Sequence, residues 1–273
     1  MDDMRRILEA VENQKAEIIK FLQTLIQTPS ITGSEADVQQ VVIDKLKEMG
    51  LVVDAWEPDL DELKGHPMYQ PVTAGFENRP VVVGKWQGSG NGKSLVLNGH
   101  CDVVRTGDGW TRDPWAAEVI DGRLYGRGAS DMKSGLAALI MAIKCLKDAG
   151  QNLKGDVFIE SVVDEENGIN GSLAALLRGY KADACINGEA SDLEIQRAHT
   201  GLMEYFLHVY GKTTPIVRKD DAVSPIEKGY RIVQAMADLE SHFRVAHRHP
   251  LYPPKSMNVY VTSFHSGIQT TVL

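Results

Sequence analysis

Four apolar runs of strand length, Pro80 to Trp86, Ser94 to Gly99, Asp156 to Val163 and Ala184 to Asn187, alternate with stretches of helical period. Arg6 to Leu25 places Ile7, Leu8, Val11, Ile18, Phe21, Leu22 and Leu25 on one face and stops at Thr28-Pro29. Ser34 is the expected N-cap of a second helix, whose inward face is Val38, Val41, Val42, Leu46 and Met49 and which Gly50 closes. Leu51 to Trp56 predicts a first strand, Leu136 to Leu146 a helix, and Ser172 to Leu177 a shorter one. Strands and helices in alternation predict an α/β fold, a central sheet with helices on both faces. In such sheets ligands gather at strand ends. His100, Glu165, Glu166 and Glu189 all stand where an apolar run stops.

The connections are less regular. Residues 58 to 79 carry Pro58, Gly65, Pro67, Pro71 and Gly75 and predict an irregular loop. The segment Gln87-Gly-Ser-Gly-Asn-Gly-Lys93 ends like a phosphate-binding loop, but Gln87 stands where that motif needs glycine and a strand comes next instead of a helix. A hairpin turn is the better expectation. After Arg197 the pattern changes: Leu202 to Val209 alternates like a half-exposed strand, Pro225 to Phe243 is one amphipathic helix, and Met257 to Thr262 is strand-like again. That predicts a second, smaller α+β domain, with the division between residues 198 and 199.

Composition excludes some partners. A formal net charge of −8 in 273 residues leaves no basic face for nucleic acid or an anionic membrane. No apolar run approaches the roughly 20 residues of a membrane span. The charged start, Met1-Asp-Asp-Met-Arg-Arg, is not that of a signal peptide. Cys101, Cys145 and Cys185 are widely spaced and odd in number, as expected for free buried thiols in a reducing, cytoplasmic setting.

His100 and Asp102 lie two apart at a strand end and so point to one side, Cys101 to the other. An imidazole beside a carboxylate suits a metal ligand and the partner that fixes its tautomer. A plain hydrogen-bonded pair in a loop would look the same. Adjacent Glu165 and Glu166 face different directions at a strand end, so one can bind a metal while the other acts as general base. A solvated acidic turn with Asp164, Asn167 and Gly168 is the competing reading. Asp131, in the glycine-flanked Gly126-Arg-Gly-Ala-Ser-Asp131-Met-Lys-Ser-Gly135, taken alone reads as a helix N-cap. His242, His247 and His249, near Arg244 and Arg248, read as a solvated helix end.

Together the motifs GHCDVV, WTRDPW, DGRLYGRGASDMKSG, VVDEENG and NGEAS resemble, in order and spacing, the M20 family of metallopeptidases and amidohydrolases, which includes acetylornithine deacetylase, succinyl-diaminopimelate desuccinylase, aminoacylase and carboxypeptidase G. The likeness spans residues 5 to 272. It implies a zinc-peptidase-like catalytic domain over residues 1–198, with a central mixed sheet flanked by helices, and part of a lid or dimerisation domain over 199–273. It also implies two zinc ions, with cobalt as a substitute. Asp131 would bridge them, His100 and Glu189 would complete one site, and Glu166 would belong to the other. Glu165 would be the general base that activates the bridging water, Asp102 would orient His100, and a cis peptide would come after Asp131. The implied function is hydrolysis of the amide bond of a small N-acyl amino acid or short peptide, in a homodimer paired through the lid.

Two departures from the family pattern matter. None of His199, His208, His242, His247, His249 or His265 stands in the context of the family's remaining metal-ligand histidine, which lies near its C-terminus. Gly211-Lys-Thr-Thr is followed by Pro215, where dimeric members carry a lid histidine for the oxyanion. The competing expectation is therefore a truncated or degenerate, non-catalytic homologue that binds at most one metal and still self-associates.

Overall fold

The computed structural model describes residues 3–196, 200–252 and 256–266 and divides into two compact units, residues 1–194 and 195–273. The expected division at 198/199, and His199 with it, lie outside the described residues.

In the first unit, helix α1 (Asp3–Gln27) is followed by α2 (Ala36–Glu48), strand β1 (Val52–Trp56), the short α3 (Leu60–Lys64) and β2 (Val81–Trp86). Strand β3 (Leu95–His100) leads through a small ribbon, β4 (Glu118–Ile120) and β5 (Arg123–Tyr125), to α4 (Ser134–Asp148). Strand β6 (Val157–Val162), the single turn α5 (Glu165–Gly168), α6 (Asn170–Arg178) and β7 (Ala184–Asn187) complete it. The main sheet runs β1-β2-β6-β3-β7; β1, β2 and β6 pair antiparallel, while β3 pairs parallel with β6 and β7.

Because side chains alternate along a strand, β3 addresses two layers at once. Gly99 faces Met132 and Leu136 at the start of α4, whereas Asn98 donates to Glu160 and to Ser172 of α6 on the other face. Leu25, Val38, Val42, Leu46, Leu136, Ile140 and Ile159 are fully buried in the core between the sheet and its helices. The expected α/β architecture with a mixed sheet is present.

Several local expectations are corrected. Residues 87–93 are not a hairpin, because β6 lies between β2 and β3 and pairs with both. The glycine-rich segment instead runs along the start of β6, Ser89 and Gly90 donating main-chain bonds to Leu153 and Lys154. Ser34 does not cap α2; Glu35 holds the N-cap position, and its carboxylate is turned inward to Arg79. The 58–79 loop contains α3, capped by Asp59, whose side chain accepts from the N–H groups of Asp61 and Glu62. Cys101 and Cys145 are buried, but Cys185 is exposed on the edge strand β7.

In the second unit, α7 (Pro225–Ala246) forms as expected, with Ser224 capping it through the Glu227 N–H. The two strands expected there do not. Residues 202–209 and 257–262 have no ladder partner, and the Lys212–Val223 bridge is the only pairing in this unit among the described residues. Alternation marks a two-sided segment, but a strand also needs a neighbour to take its N–H and C=O groups. Leu202, Met203, Tyr205, Phe206 and Leu207 are accordingly exposed.

Candidate metal centre

The parallel strands β3, β6 and β7 end at one edge of the sheet, and the segments leaving them converge at that edge. β3 delivers His100 itself, β6 leads into the Asp164-Glu165-Glu166 turn, and β7 into Gly188-Glu189. Asp131 comes from the irregular turn Ala129–Lys133 ahead of α4. The ligand atoms of His100, Asp131 and Glu166 lie within 4.8 Å of one another, and so do those of His100, Glu165 and Glu189. His100 Nε2 is 3.1 Å from Asp131 Oδ1 and 3.5 Å from both Glu165 Oε2 and Glu189 Oε1.

Local chemistry holds each group. The Asp131–Met132 peptide is cis, as the family resemblance implies, and the N–H of His100 points to the Met132 sulfur at 3.1 Å. Lys133, fully buried, donates to the carbonyls of Leu25 (2.7 Å) and Thr28 (3.0 Å), tying the Asp131 turn to the end of α1. Burial drives that ammonium down to about 8. Gly135 sits so close to the Gly188 carbonyl that a Cβ could not be accommodated, which lets α4 pass directly under the Glu189 segment.

His100 Nδ1 lies 2.8 Å from the main-chain carbonyl of Asp102. A carbonyl only accepts, so Nδ1 carries the proton and Nε2 is left to face the acids. The Asp102 carboxylate stands farther away, at 3.6 Å from Nδ1. It accepts instead from the Thr32 hydroxyl (2.8 Å) and from the N–H groups of Glu165 (3.1 Å) and Glu166 (3.3 Å).

Asp164, which the competing reading places in a solvated acidic turn, is fully buried. It adopts a left-handed backbone, φ 64°, and its carboxylate takes bonds from Asn170 (2.9 Å) and Arg79 (3.3 Å). Arg79 also grips Glu35 through two bonds of 2.7 Å.

Electrostatics fit a cation. Burial opposes a charged His100, but Asp102, Glu165 and Glu189 outweigh it and lift the imidazole above its ordinary value. Burial first, and the neighbouring carboxylates after it, push Glu165, Glu166 and Glu189 above the usual carboxylate range. One nitrogen and several carboxylate oxygens are donors that zinc accepts. Both candidate groups share the single Nε2 of His100, however, so an imidazole can serve only one of two ions. If the imidazole serves the group with Asp131 and Glu166, then Glu165 and Glu189 offer a second ion only oxygen ligands; if it serves Glu165 and Glu189, Asp131 and Glu166 do.

All six residues expected at the site thus converge on one edge of the sheet. The histidines of the second unit do not form a cluster of this kind among the described residues; His242 and His247 pack against Phe243 instead. Thr32, Arg79 and Asp164 were missed as contributors. The polar Thr32 and Arg79 stand far away in the chain and carry no motif of their own.

A mixed sheet whose strand ends gather one imidazole and five carboxylates offers nitrogen and oxygen ligands suited to a metal ion. The profile of peptidase family M20/M25/M40 matches residues 96–264, and the chain belongs to that family. It is 32% identical over 280 residues to N-formyl-4-amino-5-aminomethyl-2-methylpyrimidine deformylase of Bacillus subtilis, covering 94% of this chain and 60% of that protein. To the protein of the same name from Halalkalibacterium halodurans it is 31% identical, covering 97% and 61%. The chain therefore spans about three fifths of the length of these relatives. Among solved structures, a tripeptidase from Staphylococcus aureus shares the fold with a TM-score of 0.56 at 19% identity, over 93% of this chain and 62% of that one.

Proposed function

We propose that this chain carries the catalytic metal centre of an amidohydrolase that cleaves the C–N bond of a small N-acyl compound. The convergence of His100, Asp131, Glu165, Glu166 and Glu189 at the ends of three parallel strands carries the reading. The deformylase name of the relatives supports an N-acyl substrate, with N-formyl compounds first among candidates and N-acyl amino acids or short peptides next.

Zinc, with cobalt as a substitute, fits the donor set, and when bound it would acidify a water and polarise the amide carbonyl. Glu165 is the general base: it takes a proton from the attacking water and returns it to the leaving nitrogen. Its half-buried carboxylate, lifted in pKa by burial and by acidic neighbours, suits a group that must hold a proton and release it. Asp102 holds the imidazole through its carbonyl, so that Nε2 stays directed at the site.

Residues 199–273 are read as part of the pairing domain of a homodimer, a role supported by the exposed apolar side chains from Leu202 to Tyr210. The expected cytoplasmic location rests on the cysteine pattern; no helix among the described residues is long and apolar enough to cross a membrane.

One observation favours the alternative, a non-catalytic homologue holding a single ion: one imidazole serves both candidate groups. The two readings separate in one assay. Zinc- or cobalt-loaded protein is given N-formyl, N-acetyl and N-succinyl amines, amino acids and dipeptides. Turnover that a chelator abolishes, with Glu165→Ala inactive but still metal-bound, is the expected result. One ion and no turnover on any substrate favours the alternative.

A further inference from the structure

The side chain that joins the two halves of the site is the Asp102 carboxylate, and it is fully buried. Each of its oxygens is engaged. Oδ1 accepts from the Glu165 N–H at 3.1 Å and stands 3.6 Å from His100 Nδ1. Oδ2 accepts from the Glu166 N–H at 3.3 Å and from the Thr32 hydroxyl at 2.8 Å. The carboxylate therefore grips the main chain of both turn glutamates, and Thr32 alone among side-chain hydroxyls bonds to it among the described residues.

Thr32 is itself fixed. Its N–H donates to the Val103 carbonyl at 3.1 Å, Val103 donates back to Ser30 at 2.9 Å, and Ser30 Oγ donates to the Cys101 carbonyl at 2.6 Å. The segment between α1 and α2 thus runs beside residues 101–103 as a short parallel pairing, with Ile31 bridged to Val103. The main chain that carries the Thr32 hydroxyl is thereby held beside residues 101–103.

We propose that Thr32 is a positioning residue of the centre: its hydroxyl fixes the rotamer of the Asp102 carboxylate, which in turn sets the backbone of Glu165 and Glu166. The inference rests on the metallohydrolase reading for its consequence, but its geometry stands without it. Thr32 acts through Asp102, the side chain its hydroxyl bonds to. Groups bonded directly to a metal's ligand residues, as Asp102 is, typically change its affinity by about 10–100-fold, and Thr32, one step further out, should act at the low end of that range.

The test uses the whole chain and the variants Thr32→Val, nearly isosteric but without the hydroxyl, and Thr32→Ser, which keeps it. Amide hydrogen exchange is followed in the metal-free protein, and cobalt is titrated into each form with its visible spectrum recorded. In Thr32→Val the segment containing Glu165 and Glu166 should exchange faster while α4 and β2 keep their protection, and cobalt affinity should fall about tenfold. Thr32→Ser should restore both. Unchanged exchange in a folded Thr32→Val overturns the proposal. Faster exchange with unaltered cobalt affinity and spectrum reduces Thr32 to a structural latch and overturns its positioning role. Should the wild type bind no cobalt, the metallohydrolase reading fails, while the exchange comparison still decides whether Thr32 sets the turn.

Discussion

Arg79 grips Glu35 with its guanidinium fork, Nε and Nη2 each 2.7 Å from a carboxylate oxygen, and all three groups of the Arg79–Glu35–Asp164 cluster are buried. Two acids share one cation there, beneath the turn that presents Glu165 and Glu166. Arg79→Met leaves both acids buried without their cation, and removing one partner of such a cluster costs about 3–5 kcal/mol. Urea unfolding should show a loss in that range; a loss below about 1 kcal/mol would mean the cluster is solvated after all.

Gly135 is where α4 meets the segment carrying Glu189. A methyl group there would collide with the Gly188 carbonyl, main chain that cannot rotate away. Gly135→Ala should destabilise the fold by about 1–3 kcal/mol, as overpacking does, and weaken metal binding by displacing Glu189. Calorimetric zinc titration on the folded variant checks this, and wild-type affinity would contradict it.

Zinc binding should depend on pH through His100. Despite its burial, the surrounding acids hold this imidazole above its ordinary value, and a protonated Nε2 has no lone pair to give. Affinity should therefore be full above the raised value and fall as the pH drops through it, with protons released on binding. Titrations in buffers of different ionisation heat measure that release. Identical zinc affinity at pH 5 and 8, values chosen to span the roughly 6.5 of a free histidine, would exclude His100 as a ligand.

On the outer face of the sheet, Arg178 donates two bonds to Asp54, of 2.7 and 2.9 Å, and Tyr180 adds a third of 2.7 Å. The Arg178 bonds foremost, with burial opposing them, hold Asp54 below its ordinary 3.8, and burial together with Asp54 pushes Tyr180 up to about 12. A carboxyl whose folded value is depressed stabilises the fold at pH above its unfolded value, and that contribution is lost as pH falls through the folded one. Because the pair is partly exposed, Asp54→Asn should cost about 0.2–1 kcal/mol at neutral pH and nothing in strong acid. A cost that persists undiminished in acid would assign the effect to packing.

Much of the site was legible because it sits where strands stop. His100, Glu165, Glu166 and Glu189 end apolar runs, and a run's end is a local signal. Sheet order is not local: β6, far downstream of both strands, enters between β2 and β3, so the glycine-rich 87–93 segment reads as a hairpin. Asp164 looks like one more acid of a solvated turn, since nothing in its neighbourhood announces that Arg79, distant in sequence, is buried against it. Ser34 reads as the N-cap of α2, but Glu35 holds that position, its carboxylate bonded to Arg79 far along the chain, a partner no local pattern reveals. Leu202 to Val209 alternates as a strand does, but alternation carries no information about whether a partner strand is present.

Everything proposed for the site depends on His100 anchoring a metal shared with Asp131 and the glutamates. Zinc titration of the metal-depleted chain beside His100→Ala, with folding checked by circular dichroism, tests this most directly. At least one tightly held zinc is expected in the wild type, and its loss in His100→Ala. No zinc in the folded wild type, or equal binding by both proteins, would contradict that role.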